Sequence, residues 1–483
     1  MIKYVMKIKR IPIFFLLFFT IFFNLNSEED INSVFHTTAK NGLEIFIIEN
    51  FETPLVYIEL AFKAGGKYQN ENTYGLFHFY EHMLFKGNSL YTDSAQVYDA
   101  MSQMGVTNSN GTTASDYVNY YFTIPAKSFE KGIEFWANAI INPLFDKSEI
   151  EKEKKVVISE ILDEKTNPYT KGFNQVFKSF FNDSEYLSPG GTPENVQSFT
   201  IDDLLAMKEK YYIPNNCAIF IYGAVEKNNA LNIIENYFSN WKPSYEIIKQ
   251  QENIEKQTSK EKPMFKDNFY LIKNPQTAAI LSINFIGPDT INSIEDTYKS
   301  DFLLNLLKSQ NNKFLRTLNS IKVKDNENAI KNFSYEYLTT TKNGYISFNF
   351  WLNPNNNNLS DTITKIINYV TLKEIPEISN NFDYFSEYQY KTTKESLIDQ
   401  QTLDNEYFTN YISFLRFFWA VASTDVALHY YDYLNKITNE DISNFVKKYL
   451  LNKNFSVALF INDNLYSNEI TKLQNLGYKI LED

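Results

Sequence analysis

Residues 199–225 read FTIDDLLAMKEKYYIPNNCAIFIYGAV, and residues 437–463 read ITNEDISNFVKKYLLNKNFSVALFIND. Laid over each other without a gap, they match Thr200 with Thr438, Asp203 with Asp441, Tyr211 with Tyr449 and Asn216 with Asn454. A duplicated segment keeps polar identities in register as well as apolar ones. Two unrelated helix-to-strand patterns share only the apolar rhythm. Each copy reads as a helix opened by a Thr cap, with Asp three residues on, running into a buried strand. The chain is therefore expected to be α+β, with two homologous α/β-sandwich halves, each a mixed sheet with helices packed on it.

Outward from the repeat, apolar patterning predicts strands at 43–48, 56–62 and 278–285, and helices at 75–85 and 148–164. A polar stretch rich in Lys, Glu and Gln marks a linker at 242–266, between an N-terminal domain at 28–241 and a C-terminal one at 267–483. Halves joined in this way can close on each other like a shell. The start of the chain stands apart. Lys3, Lys7, Lys9 and Arg10 precede an apolar run at 13–23 that is too short to span a bilayer easily. Residues 1–27 read as a signal peptide, with an uncleaved anchor as the alternative. The body is expected to be exported, periplasmic or extracellular, with no stable membrane span after cleavage.

A chain of 483 residues with 43% hydrophobic and 16% aromatic content can fill the cores of two domains. Its 58 acidic residues against 46 basic ones give a formal charge of −12, which repels a phosphate backbone and argues against nucleic acid as a partner. Cys217 is the single cysteine, so no intrachain disulfide forms, and its apolar setting reads as buried filler rather than a nucleophile.

The chemistry is concentrated in one string. Two of the four histidines stand four residues apart in His78-Phe-Tyr-Glu81-His82, where helical spacing puts both imidazoles on one face with Glu81 beside them. Zinc takes neutral imidazole nitrogens readily, and a catalytic site needs a third protein ligand while leaving a fourth position open. Candidates lie at 150–165, IEKEKKVVISEILDEK, where Glu153 and Glu160 are seven residues apart and share a helix face. Alone, such glutamates would read as a solvated charged face. The histidines change that reading. His36 and His429 have no partner at ligand spacing and read as ordinary surface or packing residues.

The string HFYEH within GLFHFYEHMLFKGN, 75–88, resembles the inverzincin signature of the pitrilysin and insulinase family of zinc peptidases. The likeness extends through NGLEIFIIEN and AFKAGG before it and through GTPENVQSFT and KYYIPNNCAIFIYGAV after it. The resemblance implies one zinc per chain, held by His78, His82 and Glu160, with Glu153 supporting the ligands from behind. It implies that Glu81 is the general base of a metalloendopeptidase, and that each chain forms half of a clam-shell chamber. Residues 108–124, NSNGTTASDYVNYYFTI, resemble the family's edge strand, which takes an extended peptide by strand addition, with Asn110 and Gly111 as contacts. Phe77, Tyr80 and Gly111 depart from the residues usual at their positions, which bears on the shape of the pocket.

The same resemblance raises a question of partners. Family members commonly carry an arginine, and then a tyrosine, reaching across the chamber, whereas here 312–337 reads NKFLRTLNSIKVKDNENAIKNFSYEY. Asn319 falls at the arginine's place, with Arg316 or Lys322 as alternatives and Tyr335 further along. A homologous subunit or a homodimer is therefore expected beside the peptide substrate. The rival functions are a noncatalytic or assembly subunit of a heterodimer, which has no need of an intact ligand set, and a metal carrier, which would need a closed site with more ligands.

Overall fold

The computed structural model describes residues 34–181, 189–249, 268–274, 279–309, 312–323, 326–342, 344–354, 356, 358–406 and 408–481. The expected signal peptide lies outside them. The first half contributes β1 (Phe35–Thr38), β2 (Glu44–Glu49), β3 (Leu55–Phe62), β4 (Asn108–Thr113), β5 (Val118–Pro125) and β6 (Cys217–Gly223). The second contributes β7 (Asn268–Lys273), β8 (Ala279–Ile286), β9 (Ile330–Leu338), β10 (Tyr345–Leu352), β11 (Ser456–Ile461) and β12 (Lys479–Ile480).

The two six-stranded sheets run β1-β2-β6-β3-β5-β4 and β12-β7-β11-β8-β10-β9. Five positions correspond, β2-β6-β3-β5-β4 with β7-β11-β8-β10-β9, while the remaining edge differs, β1 being antiparallel to β2 and β12 parallel to β7. β6 is parallel to β2 and antiparallel to β3, as β11 is parallel to β7 and antiparallel to β8. The repeated segments occupy the same place in each sheet. Helix Ile201–Tyr211 runs into β6, and helix Asn439–Tyr449 runs into β11. Thr200 with Asp203, and Thr438 with Asp441, form reciprocal caps in which each Thr hydroxyl accepts the Asp backbone N–H while the Asp carboxylate takes the Thr backbone N–H. The α+β fold of two similar halves follows the duplication seen in the sequence.

β3 reads as a continuous apolar run because both of its faces are covered. Val56, Ile58, Leu60 and Phe62 face the helices of their own half, while Tyr57 and Ala61 join the core built with the other half. Helix Phe408–Val421 of the second half covers that face. Arg416 Nη1 donates to Glu59 Oε1 at 2.9 Å, Glu59 has no exposed surface, and Tyr57 donates to Glu59 Oε2 at 2.6 Å. Trp419 Nε1 donates to Glu44 at 2.7 Å. The loan is returned. Helix Pro168–Phe180 of the first half lies on the second sheet, where Val176 and Phe177 pack with Tyr270, Ile272, Ala458 and Phe460. A Cβ on Gly172 would stand 2.5 Å from the Phe460 ring, so this contact is at backbone distance.

One expectation changes. Residues 108–124 are not one strand but the hairpin β4–β5, with β4 at the sheet edge. The turn between them carries Asp116, which lies 3.4 Å from Lys67 Nζ and accepts the backbone N–H of Thr341 from the other half. The stretch read as a linker opens in its described part, 242–249, with helical residues at 245–249, and Ser244 N–H donates to Asn215 Oδ1 at 3.0 Å. Among the described residues, no single helix is long and apolar enough to cross a membrane.

Candidate active site

Helix Leu76–Leu84 begins at Gly75, whose φ of 91° is left-handed and whose missing Cβ leaves room for the Gly190 carbonyl and the Gly191 backbone. Leu76, Phe77, Phe79, Tyr80, Met83 and Leu84 are buried. The partly exposed face that remains is His78, Glu81 and His82. Phe77 and Tyr80 do not shape the pocket: Phe77 packs edge-on against Tyr211 and Tyr80 stacks on Tyr212, both inside the core. Helix Lys147–Lys165 is capped by Asp146, which accepts from Ser148 N–H and Glu149 N–H, and is anchored by Ile150, Val157 and Ile161. It brings Glu153 and Glu160 against the histidine helix.

There, His78 Nε2 and His82 Nε2 stand 3.2 Å apart, and Glu160 Oε2 lies 3.4 Å from His82 Nε2 and 3.9 Å from His78 Nε2. Tetrahedral zinc with ligands at about 2.0–2.2 Å keeps its donor atoms roughly 3.3–3.5 Å apart, so the three atoms have the right chemistry and near-ideal spacing. Among the described residues this is the one cluster of three or more His, Cys, Asp or Glu that could hold a metal. Behind it, His82 Nδ1 lies 2.8 Å from Glu153 Oε1, and Lys86 Nζ lies 2.7 Å from Glu153 Oε2. A proton on Nδ1 leaves Nε2 with its lone pair free, the form in which an imidazole can ligate a metal.

The electrostatics agree with a cation site. Burial, together with His82, pushes the His78 imidazole down to about 4, so it stays neutral at ordinary pH. Burial also opposes a charge on His82, but the Glu153 hydrogen bond and the Glu160 and Glu81 carboxylates outweigh it and raise its pKa. Three carboxylates around two imidazoles favour a positive charge at this point, which a metal supplies as a proton does. Burial holds the Glu81 carboxyl above its usual range, against the lowering effect of Thr113 and His82. Thr113 Oγ1 donates to Glu81 Oε2 at 2.6 Å.

The structure thus brings together His78, Glu81, His82, Glu153 and Glu160. Gly111 also touches Glu81, whereas Asn110 is exposed at the sheet edge. Lys86 and Thr113 join the group, and neither is marked by motif. Their signal is spacing alone: Lys86 is four residues beyond His82, and Thr113 is two beyond Gly111 on the same strand face. Tyr335 is fully buried on β9 with its hydroxyl 3.0 Å from Ser300 Oγ, while Arg316 and Asn319 are exposed. His36 lies 3.0 Å from Glu44, His429 lies 3.4 Å from Asp432, and Cys217 is buried.

The insulinase (peptidase family M16) model matches residues 45–190, and the peptidase M16 inactive-domain model matches 198–380. The chain belongs to peptidase family M16. An uncharacterized zinc protease of Rickettsia felis is 28% identical over 204 residues, which are 42% of this chain and 49% of that protein. The chain thus spans about half the length of this curated relative. The fold is that of solved M16 proteins. Pitrilysin superposes with a TM-score of 0.72 at 16% identity, over 90% of this chain and 46% of pitrilysin. The first half of the periplasmic protease PqqL from Escherichia coli gives 0.68 at 15% identity, over 90% of this chain and 93% of that half.

Proposed function

We propose that this M16 chain is a zinc-dependent metalloendopeptidase acting on peptides or unfolded segments. The observation that carries the reading is the convergence of His78 Nε2, His82 Nε2 and Glu160 Oε2 beside the Glu81 carboxylate. These three residues would hold the metal, and Glu153 would fix His82. When bound, zinc supplies Lewis-acid polarisation of the scissile carbonyl and of the attacking water. Glu81 Oε1 accepts the water proton, because Oε2 already takes the Thr113 hydroxyl, and passes it to the leaving amine. β4 ends its sheet, so an extended peptide can add along its outer edge near Asn110 and Gly111. Main-chain pairing of this kind makes sequence preference loose.

The noncatalytic or paired-subunit reading has its own support. The chain has three arginines, Arg10, Arg316 and Arg416. Arg416 is committed to Glu59, Arg316 is exposed, and Tyr335 is turned into the core. A homologous chain, or a second copy, would supply the missing cationic group and the other half of a chamber. The 46% coverage of pitrilysin fits a half-shell. Export to the periplasm or beyond is proposed from the basic and then apolar start. The deciding experiment measures hydrolysis of one unstructured peptide by the zinc-loaded chain, alone and with any homologue encoded beside it. Chelator-sensitive cleavage supports the peptidase, and zinc-bound protein inert under both conditions supports the noncatalytic subunit.

A further inference from the structure

β4 does more than end the sheet. Side chains alternate along a strand, so Gly111 and Thr113 share the face turned to the histidine helix, and both meet Glu81. A Cβ on Gly111 would stand 2.8 Å from Glu81 Cγ, 2.9 Å from Oε1 and 3.0 Å from Cδ. The Gly111 backbone is not in the left-handed region, so no turn requires glycine there. What the missing side chain provides is space, and the carboxylate occupies it. The neighbouring donor then fixes the carboxylate in rotation, since Thr113 Oγ1 takes one oxygen at 2.6 Å and leaves the other free.

Resting on the peptidase reading above, we infer that Thr113 is the positioning residue of the base and that Gly111 forms the seat into which the Glu81 carboxylate folds. A glutamate has three side-chain torsions, and without a fixed donor its carboxylate samples several orientations beside two imidazoles and Glu160. Thr113 selects one. The same short strand carries the edge to which a peptide would add. Base and substrate would then be indexed to one piece of backbone, so a shift of β4 carries both together. A proton acceptor misplaced by about 1 Å can cost on the order of a hundredfold in rate, so this arrangement matters to turnover.

The test uses the full zinc-loaded chain, with its homologue where turnover needs one, and an unstructured fluorogenic peptide. Thr113→Val keeps the shape and deletes the hydroxyl, and Thr113→Ser restores it. Thr113→Val is expected to lower kcat by about ten- to a hundredfold with KM, zinc content and melting temperature unchanged, and Thr113→Ser to stay within about twofold of wild type. A wild-type kcat in Thr113→Val, or an equal loss in Thr113→Ser, overturns the inference. Crystal structures give the second readout. In Thr113→Val and Gly111→Ala the Glu81 carboxylate should leave its seat while His78, His82 and Glu160 stay in place, and an unmoved Glu81 overturns the inference. If the wild-type chain binds zinc but cleaves nothing, the peptidase reading fails, and the carboxylate positions in these crystals still decide this one.

Discussion

His82 Nδ1 stands 2.8 Å from Glu153 Oε1, so a buried carboxylate on one helix sets the proton of an imidazole on another. The other oxygen of that carboxylate is held by Lys86. Partners of this kind typically change metal affinity by about 10–100-fold. Glu153→Ala is therefore expected to weaken zinc binding by that order, with Lys86→Met giving a smaller loss in the same direction. Competition against a chelator of known affinity measures both. An unchanged affinity in Glu153→Ala would remove it from this role.

The proposed ligands and the proposed base should separate cleanly. His78→Ala, His82→Ala and Glu160→Ala each remove a donor and are expected to lose zinc, measured by metal analysis after dialysis. Glu81→Gln removes an acceptor that is not a ligand, so it should keep zinc and fold while peptide hydrolysis falls by about two to four orders of magnitude. Metal content at the wild-type level in all three ligand variants would show that the site lies elsewhere.

The pair between the halves gives a stability prediction. Arg416→Met leaves Glu59 buried and without its cation, a change that typically costs about 3–5 kcal/mol. Replacing both partners with apolar residues should recover most of the loss. Denaturant unfolding of the single and double variants reads this directly, and a double variant no better than the single one would mean that the pair does more than satisfy two charges.

Asp301 predicts a pH dependence. Its carboxyl accepts the Tyr430 hydroxyl and is pushed up to about 7 by burial, with Tyr335 and Tyr337 as further titratable neighbours. The folded protein holds this proton more tightly than the unfolded chain, so the contribution is present below the ordinary carboxyl range. It is lost as pH rises toward 7, at about 1.4 kcal/mol per unit. Asp301→Asn should flatten that slope and be more stable than wild type at pH 8. Parallel melting curves from pH 4 to 8 test this, and identical slopes would refute it.

Export is open to a direct check. The mature protein should begin near Ser27 or Glu28 and fractionate outside the cytoplasm. A cytoplasmic chain starting at Met1 would end that expectation.

Much of the fold was legible because its signals are local. The paired Thr and Asp caps announce the repeat, and helical spacing alone aligns His78, Glu81 and His82. Contacts between distant segments were not legible. Nothing around Arg416, set in the aromatic run at 414–419, shows that it meets Glu59, and nothing in ASDY at 114–117 shows that Asp116 closes a turn against the other half. For the same reason 108–124 read as one strand, since the polar residues of the turn continue the polar rhythm of the edge. Nor does the sequence show where Tyr335 points: along β9 the alternation of faces turns it into the core.

The exchange of helices between the sheets has a mechanical result. Each half is roofed by a piece of the other, so prising them apart would expose Tyr57 and Phe220 on one sheet and Ile272 and Phe460 on the other. The two sheets are interlocked through shared cores, so cutting the chain between 242 and 266 should nick it without releasing two independent bodies. An opening that admits a polypeptide would then have to hinge at a border of the paired sheets and not between them.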